Sequence, residues 1–109
     1  MKATVRAGVC GFSTSITAAS GDSQHVGFNI KSDCEKIKLL AEDFPTVDGY
    51  QEISVGFDGV IHQRVRQVLR GCCSGCIVPS GLFKAMQVAA GVALPVDAGI
   101  RFEQDGGQG

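Results

Sequence analysis

The sequence predicts an α+β domain, a two-layer sandwich in which an antiparallel or mixed sheet carries about three helices on one face. Three observations lead there. Short runs with period-two alternation crowd the first third of the chain, stretches with helical periodicity fill the middle and the later part, and strands and helices do not alternate regularly as a parallel α/β sheet would require. One domain over residues 3–104 accounts for all of it, followed by a mobile Gly-rich tail at 105–109.

Residues 4–9 and 13–18 are short, partly alternating runs, and Gly11 between them supplies the bend of a hairpin. Residues 25–31 place Val26, Phe28 and Ile30 on one face of the clearest strand. Ser32-Asp33-Cys34-Glu35 then reads as a capping box, with the Ser32 hydroxyl accepting from the Glu35 amide and Cys34 at the second helical position. Ile37, Leu40, Ala41 and Phe44 mark the face of that helix, and Pro45 stops it. The alternation of Ile53, Val55 and Phe57 suggests a strand over 51–57, with a loop nearly as acceptable. A second helix buries Ile61, Val65, Val68 and Leu69, with Gly71 as its C-cap. Ser80 caps a third, whose face is Leu82, Phe83, Met86, Ala89 and Ala90 and which Gly91 and Pro95 close. A last strand is expected over 98–102.

A chain of 109 residues with 44% apolar and 19% charged side chains is long enough and apolar enough to fold around its own core, so any metal would serve function as much as stability. Ten basic and eleven acidic residues give a net charge of −1, which lacks the positive excess that a nucleic-acid partner demands. The first residues have no apolar stretch of a signal segment, and the apolar run 88–96 is interrupted by Pro95 and too short for a membrane span. A cytoplasmic location with no membrane partner is expected. There five cysteines, an odd number, are read as free thiols or metal ligands.

At Cys10-Gly11-Phe12, Ser32-Asp33-Cys34-Glu35 and Cys76-Ile77-Val78-Pro79-Ser80-Gly81, followed by Lys84-Ala85 and the segment 90–95, the chain resembles an uncharacterised family of small prokaryotic proteins. The likeness spans nearly all of residues 3–104. It implies that Cys10, Cys34 and Cys76 are the family's cysteines and leaves Cys72 and Cys73 outside its pattern. Ile77 stands where that pattern implies proline, and no activity comes with the resemblance.

Cys73-Ser74-Gly75-Cys76 has the C-x-x-C spacing that lets two thiolates converge on one ion from a flexible loop. Cys10 in the hairpin bend and Cys34 at a helix start would complete the set, since amides at turns and helix starts stabilise thiolate charge. Cys10, Cys34, Cys73 and Cys76 are therefore the expected ligands of zinc or an iron-sulfur cluster, with Cys72 spare. With three ligands alone a coordination position stays open, so an enzyme is compatible with the sequence. Two other readings compete. Cys73 and Cys76 form a redox pair, although a helix beginning no earlier than Pro79 leaves them beyond the reach of its dipole. Alternatively the cysteines are buried apolar filler in a non-catalytic module that binds a partner or a second copy of itself.

His62 flanks the apolar stripe of the second helix, where a boundary role is commoner than ligation, and His25 has no partner at an informative spacing. Arg64, Arg66, Arg70 and Lys84 do not share one face as an anion site would need. No Walker loop or G-x-G-x-x-G is present, so no nucleotide is expected, and no substrate is indicated.

Overall fold

The computed structural model describes residues 1–104, and the Gly-rich tail predicted at 105–109 lies outside the described residues. Strands β1 (Lys2–Arg6), β2 (Ser13–Ala19), β3 (His25–Ser32) and β4 (Val47–Asp48) form one antiparallel sheet in the order β1-β2-β3-β4. The choice between antiparallel and mixed is thereby settled. Ala3 pairs with Ile16 and Ile16 with Ile30, while Thr14 lies between Val5 and Ser32. Val5, Thr14, Ile16, Ala18 and Val26 are buried on one face, whereas Thr4, Thr17, Asn29 and Lys31 are exposed on the other. The sheet therefore has one dry face and one wet face, the pattern of a sheet covered on one side.

Four helices are present among the described residues: α1 (Glu35–Ala41), α2 (Gly49–Val55), α3 (Val60–Val68) and α4 (Val78–Ala89). Helix α4 lies on β1 and β2, α1 lies on β3, and α3 packs against both of those helices. Ile37, Leu40, Ile61, Leu82 and Met86 are fully enclosed between them and the sheet. Phe44 lies beyond the end of α1 but still fills its expected place, meeting Phe28 edge-on with 5.2 Å between ring centres.

Several elements differ from the sequence expectation. Residues 51–57 are not a strand. Asp48 accepts hydrogen bonds from the amides of Tyr50 and Gln51, the geometry of an N-cap, and α2 follows. The alternating Ile53, Val55 and Phe57 are all exposed, and the buried residues of this helix are Gly49 and Glu52. The Glu52 carboxylate accepts from the amides of Val60 at 2.9 Å and Ile61 at 2.8 Å, satisfying the first turn of α3.

The expected capping box at Ser32 is also absent. Ser32 ends β3, its hydroxyl accepts from the Cys34 amide at 3.1 Å, and Cys34 itself is the N-cap of α1. The strand predicted at 98–102 is missing as well. Every residue from 91 to 104 is exposed and no strand lies there, because nothing pairs with this segment. Helix α4 begins at Val78 with Ile77 as its N-cap, so Ser80 lies inside it, and Gly91 follows with φ 78 as the expected C-terminal glycine.

Candidate functional site

The register of the sheet brings three distant segments to one end. Thr14 has Val5 on one side and Ser32 on the other, so the connection after β1 and the connection after β3 leave the sheet side by side. Cys10 is in the first and Cys34 in the second. The start of α4 is seated at the same end, since a Cβ on Gly81 would lie 2.5 Å from Val5 Cγ2 and 3.4 Å from Ile16 Cδ1. That contact carries Cys73 and Cys76, in the turn just before α4, to the same place.

Each cysteine is held by local backbone chemistry. Cys10 ends a 3-10 turn, Gly8–Cys10, closed by the Gly11 amide donating to the Gly8 carbonyl at 2.9 Å; Gly11 has φ 73, a conformation open to glycine at little cost. Thr14 Oγ1 donates to Ser32 Oγ at 2.8 Å, and the same Ser32 oxygen accepts from the Cys34 amide. Thr14 is buried, so this chain ties the start of α1 to the sheet. Cys73 lies in the middle of another 3-10 turn, Gly71–Gly75, and Cys76 follows it, its amide donating to the Cys73 carbonyl at 3.1 Å.

Cys34, Cys73 and Cys76 are half-buried against the core, whereas Cys10 and Cys72 are exposed, and all five are free thiols. Burial pushes the Cys76 thiol above its ordinary range. The backbone amide of Val78 acts in the opposite direction, while the like charge of Cys34, Cys73 and Cys10 pushes further up. The Val78 amide is the first of α4, so Cys76 does stand at a helix N-terminus, contrary to the expectation that the C-x-x-C lies beyond its reach. Among the described residues, however, no three Cys, His, Asp or Glu side chains already stand together as they would around an ion.

The family model described as "Family of unknown function (DUF6951)" matches residues 1–102. The chain belongs to this family. For this member neither the curated proteins nor the solved structures give a match. The family's extent runs past α4 and takes in almost all of the exposed segment after it.

The other residues singled out in the sequence are occupied elsewhere. His62 lies between Phe57, tilted against it with ring centres 4.7 Å apart, and Phe83, stacked on it at 5.4 Å, and burial lowers its pKa. His25 does have a partner, three residues earlier: Nδ1 is 2.8 Å from Asp22 Oδ2, and this hydrogen bond raises the imidazole pKa. Arg64 donates to the carbonyls of Leu40 and Glu42 at the end of α1, and Arg66 to the carbonyl of Phe57, so each guanidinium ties a neighbouring segment to α3. Two residues that position the site escape a reading of motifs. Thr14 is one ordinary threonine in an alternating run, and Glu52 is one acidic residue in a segment that alternates like a strand. The only signal for Glu52 is its position one turn into a helix that Asp48 caps.

Proposed function

We propose that Cys10, Cys34, Cys73 and Cys76 form a thiolate site for a soft metal centre, zinc or an iron-sulfur cluster. What supports it is that the three connections carrying these cysteines lie at one end of the sheet, two of them leaving it side by side and the third leading into α4 where it rests on Val5. Thiolates gathered in this way repel one another, and a bound cation removes that repulsion and reverses the upward push on Cys76.

The donor set suits the centre. Soft thiolates favour zinc and iron-sulfur clusters over magnesium or calcium, and the ligands sit in two short 3-10 turns and at a helix cap that tighten by small backbone movements. Each ligating thiol releases a proton on binding, so affinity falls with pH. A Cys73–Cys76 redox pair fits less well, because a half-buried thiol whose pKa is pushed up is a poor attacking thiolate at neutral pH.

The test is metal analysis with absorption spectroscopy on protein purified without oxygen. Wild type and Cys72→Ser are expected to hold stoichiometric metal, and Cys34→Ser and Cys76→Ser to lose it. Zinc gives a colourless protein that takes up cobalt with a thiolate charge-transfer band; a cluster gives a coloured one. Metal-free wild type whose five thiols all titrate, and which binds neither added zinc nor cobalt, ends the proposal.

A further inference from the structure

The segment after α4 alternates with period two: Val92, Leu94, Val96, Ala98, Ile100 and Phe102 on one side, and Ala93, Pro95, Asp97, Gly99, Arg101 and Glu103 on the other. This is the pattern of a strand with one buried face. Yet Leu94 is 80%, Val96 74%, Ile100 67% and Phe102 92% exposed. The molecule measures 52 × 28 × 24 Å, its long axis nearly twice the others.

An acceptor for such a strand is present on the sheet. Met1 and Ala18 exchange hydrogen bonds, and the Ala7 amide donates to the Phe12 carbonyl. In an antiparallel pair these bonds recur at alternate residues, so Ala3 and Val5 face β2 and the amides and carbonyls of Lys2, Thr4 and Arg6 point outward from the sheet. No strand lies beyond β1, which leaves that edge open among the described residues.

The arm does not reach its own β1. Helix α4 starts over Val5 and Ile16 but ends beside β3 and β4, where a Cβ on Gly49 would lie 3.2 Å from Ala90 Cβ and 3.9 Å from Val26 Cγ2. From there to a position outside β1 is three to four strand spacings, roughly 14–19 Å, besides the descent from the helix layer. Val92 is still held at the end of α4, its amide donating to the Gln87 carbonyl at 3.0 Å, and the four steps from Val92 to Val96 span at most about 14 Å. A second copy has no such restriction. The same arm and the same edge on each of two chains allow a reciprocal exchange that closes on itself.

We propose that residues 96–103 add to the β1 edge of a second copy of this chain, so that two copies exchange arms in a symmetric dimer. Pro95 lacks an amide hydrogen and suits the position just before the added strand. Val96, Ile100 and Phe102 then extend the dry face of the partner's sheet beside α4, and Asp97, Arg101 and Glu103 join Lys2 and Arg6 on the wet face. Two carboxylates and one guanidinium thus meet two basic side chains of the edge, a favourable balance for cross-strand neighbours. The exchange is independent of metal at the thiols.

Light scattering on the eluting full-length chain is expected to give twice the chain mass. Thr4→Pro removes one outward amide without touching the ladder to β2, and the pair Ile100→Asp with Phe102→Asp spoils the apolar face of the arm; each is expected to give a monomer with the circular dichroism of wild type. Wild type that is monomeric at every concentration overturns the proposal, as does a dimer that persists in the arm variant or in folded Thr4→Pro. If Thr4→Pro does not fold, hydrogen exchange on wild type decides. Amides between Val96 and Phe102 slowed in the dimer and fast on dilution support arm exchange; fast amides in the dimer, or slow ones in the monomer, refute it.

Discussion

Replacing Gly81 by alanine sets two effects of known size against each other. Gly81 lies in the first turns of α4, where glycine costs a helix about 1 kcal/mol relative to alanine. The new methyl would lie 2.5 Å from Val5 Cγ2, whereas carbon atoms are in best contact at about 3.5–4.0 Å, so helix and strand must part by about 1 Å. Val5 is β-branched, buried and anchored in β1, and Ile16 behind it is fully enclosed, so neither side chain turns away cheaply. Overpacking of this kind costs about 1–3 kcal/mol, which outweighs the helix gain and leaves a net loss of about 1 kcal/mol. In a Val5→Ala background the obstructing methyl is gone, and Gly81→Ala is expected to stabilise by about 0.5–1 kcal/mol. The assay is urea unfolding of the four proteins at one fixed protein concentration, analysed as a double-mutant cycle with a coupling of about 2 kcal/mol expected. Gly81→Ala that stabilises the wild-type background, or changes both backgrounds alike, refutes the close seating of α4 on β1. That seating also sets where the turn carrying Cys76 lies, so if the proposed thiolate site holds a metal, the same variant is expected to weaken its uptake without altering any proposed ligand.

Glu52→Gln keeps the shape of the buried side chain but turns one acceptor into a donor facing an α3 amide, and is expected to cost about 2–3 kcal/mol in urea unfolding; stability unchanged within error would show that those amides have other partners. The two histidines should titrate on opposite sides of 6.5 when followed by NMR. His25, raised by Asp22, contributes stability that is complete below pH 6.5 and lost as pH rises through its folded value, and Asp22→Asn should return it toward 6.5. His62 is held neutral by burial, so its contribution is present above pH 6.5 and lost as pH falls below that value. A His62 that titrates above His25 would contradict the aromatic stacking around it.

The parts of the fold legible in the sequence are those whose period is decided by a single buried face. β2, β3, α3 and α4 each set one side against the core, and Ile16, Val26, Ile61 and Met86 lie where the alternation or the helical period puts them. The segment 51–57 misleads for a physical reason. Its apolar residues are exposed, so their spacing records no burial, while the residues that determine the structure are polar: Asp48 caps α2 and Glu52 anchors α3. At 98–102 the alternation is genuine and the strand is still absent from the single chain, because a strand needs a partner and the pattern does not say where that partner is.

The thiol site divides in the same way. That the cysteines sit at turns and helix starts follows from local glycine, serine and proline chemistry, and the structure has Cys10 and Cys73 in 3-10 turns and Cys34 at a cap. Their convergence does not follow locally. It depends on β2 lying between β1 and β3 and on α4 resting against Val5, pairings across many residues that leave no trace in motif spacing. The C-x-x-C therefore carries less of the site than its familiar spacing suggests. Cys73 and Cys76 belong to one short turn that could point anywhere, and what gives them company is Gly81, five residues on, where the absence of a side chain lets the helix down onto the sheet. Loss of that glycine should disturb the cluster more than loss of Cys72, an exposed thiol in the same turn. That ordering separates a site built by the fold from one built by a motif.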